Sequence, residues 1–303
     1  MRDFLSIADL TRNDLELLLQ RARDIKRDNP MPSLAGKHLA LVFQKPSLRT
    51  RVSFEVGMRQ LGGEALYLTS AEVGMGVREP IKDVARVLSR YVDVIAARTF
   101  AQTDIEELAE HASVPVINAL SDDEHPCQAL ADLLTLQEKL EDLRGVTLAY
   151  VGDGNNVAAS LALGASLLGM SFHIATPPGY ELAAHFIRLA SENAAQSGAQ
   201  LLQTNDPCEA VANADAVYTD VWASMGQESE RETRRAAFQA YQINADLLSH
   251  ARRRPLIMHD LPAHRGEEIT DDVFESDRSV IFDQAENRLH AQKAVLHRLL
   301  VGA

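Results

Sequence analysis

The sequence predicts an α/β fold: two parallel-sheet α/β domains with helices on both faces, and a C-terminal helix returning to the first domain. Three observations predict it. Short apolar runs alternate with helical patterns from end to end, which is the pattern of parallel strands covered by helices. The alternation restarts at Leu143-Arg144-Gly145, directly after a long Leu- and Ala-rich helical stretch. The last segment, Glu286 to Leu300, carries Leu289, Ala294, Val295 and Leu299 on one side and can close back on the first domain.

In chain order, a short helix at 11–27 precedes the first strand at 38–43. Strands follow at 65–69, 93–98 and 115–119, separated by helices near 49–61, 80–91 and 103–112. The helix at 49–61 has Val52, Phe54, Val56, Met58 and Leu61 to set against a sheet. A helix at 126–141 closes this half. The second half has strands at 146–151, 172–176, 200–204, 216–220, 255–260 and 279–283. The expected domains are therefore 1–142, completed by 286–303, and 143–285. Ligands of such sheets bind at the strand ends.

The bulk numbers exclude several classes. With 303 residues, 46% hydrophobic and 24% charged, the chain is a normal globular one of two-domain size. No apolar run approaches the length that crosses a bilayer, and Met1-Arg2-Asp3-Phe4 opens no signal peptide. Two cysteines, Cys127 and Cys208, argue against a disulfide framework and for a cytoplasmic setting. No Cys or His group has metal-ligand spacing, so no metal is expected. A net charge of −13 disfavours nucleic acid and anionic membranes as partners. An acidic protein that binds an anion must build a basic pocket against its own field. The run Arg252-Arg253-Arg254 reads as a solvated loop.

The most informative stretch is Ser47-Leu48-Arg49-Thr50-Arg51, which follows the first strand across a Lys45-Pro46 turn and opens a helix. Helix starts offer backbone N–H groups, and hydroxyls and guanidinium groups on the same turn suit a phosphate dianion. Arg98 ends a strand of the same sheet. His125-Pro126-Cys127-Gln128 opens the helix after the fourth strand, so His125 and Gln128 sit one turn apart and can converge on one ligand. An imidazole there can polarise a carbonyl, or simply cap the helix. Cys127 reads as a packed residue.

In the second half, Gly152-Asp153-Gly154 resembles a dinucleotide-binding turn, but the third glycine position, 157, is Val and no acidic residue closes the next strand. Asn155 and Asn156 either face a substrate or cap the following helix. Asp220, in Asp220-Val221-Trp222-Ala223-Ser224-Met225-Gly226, and Asp260, in His259-Asp260-Leu261-Pro262, each end a strand and could together hold a cationic amine. Each alone would serve equally as a turn former. Glu286-Asn287-Arg288 opens the last helix and can return an arginine to the phosphate side.

Taken in order, S-x-R-T-R, H-P-x-Q, G-D-G-N-N, D-x-W-x-S-M-G, L-P-A-H and F-D-Q-A-E-N-R resemble the aspartate/ornithine carbamoyltransferase superfamily, and its ornithine branch through the D-x-W-x-S-M-G loop. The resemblance runs over nearly the whole chain. It implies a cofactor-free carbamoyltransferase of arginine biosynthesis acting on carbamoyl phosphate and L-ornithine, in homotrimers with shared active sites. It places carbamoyl phosphate on Ser47, Leu48, Arg49, Thr50, Glu72, Arg98, His125, Gln128 and Arg288, the Glu72 segment reaching a neighbouring subunit's site. It places ornithine on Asn155, Asn156, Asp220, Ser224, Met225, Asp260 and Leu261. Arg98, His125 and Asp260 take the catalytic positions.

The chain departs from the family pattern where Asp260 stands for the cysteine of H-C-L-P, Glu72 for a frequent Gln and Leu48 for a frequent Thr. A carboxylate at 260 can hold an ammonium group more tightly, yet leave less free amine for attack. A carboxylate at 72 would repel phosphate. These departures leave open a different amine acceptor, such as putrescine or an acylated ornithine, or a weakly catalytic carbamoyl-phosphate-binding paralogue.

Overall fold

The computed structural model describes residues 1–28, 33–224 and 226–302. The chain forms two compact units, Met1–Leu134 with Glu286–Ala303, and Thr135–Ala285.

The first unit holds β1 (His38–Phe43), β2 (Glu64–Thr69), β3 (Val94–Arg98) and β4 (Val116–Leu120). Its helices are α1 (Arg12–Asp28), α2 (Leu48–Gln60), α3 (Ser70–Val73), α4 (Ile81–Leu88) and α5 (Gln102–His111). α6 (Pro126–Leu140) begins in this unit. All pairings are parallel, in the order β2-β1-β3-β4. Ala40, Val42, Ile95 and Ala97 pack with α4 and α5 residues such as Val84 and Leu108. Leu39, Leu41 and Phe43, on the other face of β1, are also buried, so the strand is covered on both faces. On α2, Phe54, Met58 and Leu61 turn inward as the helical pattern requires. Val52 and Val56 instead face outward. They lie on the other side of the helix, because residues two apart do not share a face.

The second unit holds β5 (Thr147–Val151), β6 (Ser171–Ala175), β7 (Leu201–Thr204), β8 (Ala216–Thr219) and β9 (Leu256–His259), all parallel, in the order β7-β6-β5-β8-β9. Its helices are α7 (Asn156–Leu168), α8 (Ala184–Ser197), α9 (Pro207–Val211), α10 (Arg231–Phe238), α11 (Ala245–Leu248) and α12 (Asp271–Phe274). Ala149, Val151, Val217 and Ile257 share one core with Trp222, Phe238 and Tyr241. Each of Arg252, Arg253 and Arg254 is matched by a polar partner, Asn213, Asp215 and Asp277. No helix among the described residues is long and apolar enough to cross a membrane.

One expected strand is absent. Residues 279–283 make only a single bridge, Ser279 beside Ile257, and α13 (Ile281–Leu300) starts within them, five residues before the expected helix start. A short apolar run such as Ser279-Val280-Ile281-Phe282 fits a strand or a buried helix start equally by pattern. Here the Val280 carbonyl accepts the Gln284 N–H at 2.9 Å, which commits the run to the helix. The later part of α13 belongs to the first unit. Lys26 donates to Asn287 at 2.9 Å, and Lys293 to Gln60 at 2.9 Å.

Gly154 shows how tightly the β5–α7 turn is packed. A Cβ there would lie 2.3 Å from the backbone nitrogen of Leu182, a contact no side chain can yield to. Gly154→Ala is expected to destabilise the protein by about 1–3 kcal/mol, the range for overpacking, measured as a lowered urea midpoint. An unchanged midpoint would mean that the 180–182 backbone gives way freely.

Candidate active site

Two clusters form at the carboxyl ends of the strands, one in each unit. In the first unit, β1 lies between β2 and β3, so the chain departs to opposite sides there and leaves a crevice at the strand ends. Phe43 at the end of β1 pairs with Arg98 at the end of β3. The register of β3 on β4 slips at Ala97/Arg98, and such a bulge re-aims the side chain that follows it.

Ser47 is the N-cap of α2, its hydroxyl accepting the Thr50 N–H at 3.3 Å and donating to the Thr50 hydroxyl at 3.1 Å. The positive end of the helix dipole therefore lies at this turn. Arg288 of α13 is buried; its Nη2 donates to Thr50 Oγ1 at 2.9 Å and its Nη1 to Gln128 Oε1. Gln128 in turn donates to Asp132 at 2.8 Å. One guanidinium thus joins the first turns of α2 and α6.

His125 is buried beside this network. Burial, reinforced by the charges of Arg288, Arg98 and Arg49, holds its pKa well below the ordinary imidazole value. The ring is neutral, and three guanidinium groups from separate parts of the chain act on it together. A small dianion with a carbonyl beside it matches that field. Cys127 is packed, as expected; its thiol donates to the Asn118 carbonyl at 3.4 Å and burial pushes its pKa up to about 12.

Three residues of the same region point elsewhere. Arg51 lies over the Tyr67 ring at 3.9 Å and pairs with Glu55 at 2.8 Å, so of the two arginines in the turn it is a surface residue. The Leu48 side chain is exposed. Glu72 is exposed and caps α3, accepting from the Thr69 N–H and hydroxyl, each at 2.7 Å. Those bonds lower its pKa and keep it ionised. Lys45 is a buried cation that the sequence reading passed over; it pairs with Asp122 and lies over the Phe100 ring at 4.3 Å.

In the second unit, Asn155 is the N-cap of α7. Its oxygen accepts the N–H groups of Val157 and Ala158 at 3.0 and 3.1 Å, while its amide donates to Asp220 at 2.7 Å. It therefore serves both as cap and as a link to the next strand end. Asn156 opens the helix half-buried. Asp220 is buried and also accepts the Val221 N–H at 2.6 Å. Burial and the nearby Asp260 raise its pKa well above the carboxylate norm. Ser224 is half-buried, its N–H bonded to Gln227 at 2.9 Å. Met225 lies outside the described residues.

His259 follows the same logic on β9. Asp260, Glu268 and Asp220 pull it toward the imidazolium, against burial. The Leu261 N–H lies 2.9 Å from Nδ1, which must then hold a lone pair, so the ring is neutral with its proton on Nε2, facing Glu268 at 3.2 Å. Leu261 thereby contributes through its backbone. Asp220, His259 and Asp260 bring ligand-type atoms within 4.8 Å of one another. Both ring nitrogens of His259 are already engaged, which fits a hydrogen-bonded network better than a metal centre.

Sequence reasoning missed Asp153 and Arg234. Arg234 of α10 is buried and donates to Asp153 at 2.9 Å and to the Trp222 carbonyl at 3.1 Å, bracing the loop after β8. The Gly152-Asp153-Gly154 turn hinted at Asp153, whereas nothing marked Arg234 among its exposed basic neighbours.

The depressed His125 pKa makes a pH prediction. Below about 6.5, the ordinary value, the unfolded chain takes up a proton that the folded chain refuses. The associated stability is fully present above that pH and falls as pH drops, by up to about 1.4 kcal/mol per unit. His125→Gln should lose less stability than the parent between pH 7.5 and 5 in urea titrations; equal losses would refute a neutral buried ring.

Comparison with known proteins agrees with this geometry. The family profile described as "Aspartate/ornithine carbamoyltransferase, carbamoyl-P binding domain" matches residues 2–138, and the one described as "Aspartate/ornithine carbamoyltransferase, Asp/Orn binding domain" matches residues 144–299. The ornithine carbamoyltransferase of Thermococcus kodakarensis is 54% identical over 99% of this chain and 97% of that protein. The anabolic ornithine carbamoyltransferase of Pyrococcus furiosus is 53% identical over 99% of this chain and 97% of its own. A solved structure of ornithine carbamoyltransferase from Pyrococcus furiosus superposes with a TM-score of 0.96 at 53% identity, covering 100% of this chain and 98% of that one. The Gloeobacter violaceus structure gives 0.91 at 51% identity, covering 99% of both chains. The chain therefore belongs to the aspartate/ornithine carbamoyltransferase family.

Proposed function

We propose that the protein transfers the carbamoyl group of carbamoyl phosphate to the δ-amine of L-ornithine, giving L-citrulline and phosphate, as a step of arginine biosynthesis. The observation that carries this reading is the joint action of Arg49, Arg98 and Arg288 on the buried, neutral His125. The relatives named ornithine carbamoyltransferase support it.

Carbamoyl phosphate binds with its phosphate at the α2 start, on the hydroxyls of Ser47 and Thr50, the backbone of Leu48 and the guanidinium groups of Arg49 and Arg288. Its carbonyl oxygen faces Arg98, His125 and Thr50, and its amide faces Gln128. The α-ammonium of ornithine pairs with Asp220. Asn155, Asn156, Ser224 and Met225 hold its remaining polar groups, and Asp260 and Leu261 flank the reacting amine. The neutral amine attacks the carbamoyl carbon, and the carbonyl electrons move to oxygen, where Arg98 and His125 stabilise them. The C–O bond to phosphate then breaks with its electron pair, and the proton lost by nitrogen passes to phosphate. Removal of one such donor lowers rates on the order of a hundredfold or more. No metal or organic cofactor takes part.

Active sites shared within a homotrimer, with the Glu72 segment reaching a neighbour, are part of the same reading. Exposed Val52, Val56 and Leu66 on α2 and β2 offer apolar surface for such assembly. Two free cysteines suit the cytoplasm.

Arg49→Ala is expected to abolish detectable citrulline formation while leaving the circular dichroism spectrum unchanged; near-normal turnover would defeat the pocket. A steady-state panel of ornithine, putrescine and acylated ornithine should show ornithine as the preferred acceptor. Preference for either of the others would reassign the substrate.

A further inference from the structure

The residues just after β8 and β9 meet at one point of the sheet edge. Thr219 is paired with His259 in parallel register, so positions 220 and 260 come next on neighbouring strands, whose spacing is about 4.8 Å. Both are aspartates, and a carboxylate oxygen of each lies within 4.8 Å of the other. Two carboxylates that close in a buried place repel each other unless they hold a proton between them. Two of the other interactions of Asp220 are N–H groups, from Asn155 at 2.7 Å and Val221 at 2.6 Å, which favour a charged partner in the pair.

The titratable surroundings are acidic or neutral on several sides. From β9 comes the neutral His259, whose Nδ1 is 3.5 Å from Asp260, backed by Glu268. From β5 comes Tyr150, whose hydroxyl donates to Asn155 at 3.2 Å and whose pKa is raised by burial and by Asp220, Asp153 and Asp260. From the β5–α7 turn comes Asp153, matched by Arg234 of α10.

We propose that Asp220 and Asp260 hold one proton between them in the resting protein, and that Asp260 becomes the base that deprotonates the δ-ammonium of the acceptor. This rests on the reading that Asp220 binds the α-ammonium group. The cycle balances. When the α-ammonium reaches Asp220, the shared O–H bond breaks and its proton goes to solvent. Asp260, now a carboxylate, takes a proton from the δ-ammonium: an N–H bond breaks, an O–H bond forms, and the nitrogen lone pair is freed for attack. When citrulline leaves, that proton is again shared with Asp220, and the pair is restored. The proton belongs to the pair and not to either residue. The aspartate at the family's cysteine position is, on this account, a catalytic residue for proton removal.

The probe is L-norvaline, which is ornithine without its δ-amine. It is titrated calorimetrically, with chelator present, into protein saturated with carbamoyl phosphate at pH 7, in buffers of differing ionisation enthalpy. The parent protein should release about one proton per norvaline bound, because the pair gives up its single proton. Asp260→Asn and Asp260→Ser should release almost none. Norvaline binding without proton release by the parent would overturn the shared proton. No norvaline binding at all would overturn the amino-acid site itself, and this inference with it. With ornithine, Asp260→Asn should lower kcat about a hundredfold at pH 7, the usual worth of a general base. The loss should shrink about tenfold per pH unit toward pH 9, as solvent supplies free amine. A kcat within about threefold of the parent at pH 7 would remove Asp260 from the chemistry.

Discussion

Everything at the first site depends on one electrostatic arrangement: three guanidinium groups held around a neutral imidazole, in a protein whose net charge is −13. Like charges brought together in a partly buried place repel. Hydrogen bonds from Arg288 to Thr50 and Gln128 fix one member by its geometry. The bulge before Arg98 and the capped start of α2 set the directions of the others. On the proposed reading, the carbamoyl phosphate dianion binds within this arrangement. The neutrality of His125 follows first from its burial and then from the same three charges, which oppose a fourth cation there. On the proposed reading, it acts on the carbamoyl carbonyl oxygen as a neutral hydrogen-bond donor.

Parallel pairing places both clusters. Every strand of a parallel sheet ends on the same edge, so residues just past the strand ends come together although they are far apart in sequence. Phe43 beside Arg98 and Thr219 beside His259 are the two register contacts that matter. The first sets the α2 turn against Arg98. The second sets Asp220 against Asp260, and Asn155 reaches Asp220 from the next strand.

Most strands of both sheets were legible because their apolar runs are buried on both faces, which leaves few alternative readings; β2 and β7 are more open. The run at 279–283 misled for the same reason, as an apolar stretch of that length also suits a helix start. Ser47, Arg49, Arg98 and His125 stood out as chemistry placed at strand ends. Arg51 looked equivalent to Arg49 in sequence, but helical geometry turns it onto Tyr67 and Glu55. Asp153 and Arg234 were invisible as a pair, since nothing in a linear sequence joins a glycine-rich turn to a helix 81 positions later. That Asp220 and Asp260 could act together was legible from their places at strand ends; their direct contact depends on strand order and register, which periodicity does not encode.

The anion cage is tested most directly by the charge state of a ligand inside it. Phosphonoacetamide, a stable analogue of carbamoyl phosphate, can be followed by phosphorus NMR while bound, as pH is lowered through its second ionisation. Three guanidinium groups acting together should keep the bound phosphonate dianionic well below the pH at which the free ligand takes up a proton. A bound phosphonate that titrates at the same pH as the free one would contradict the convergence on which the account rests.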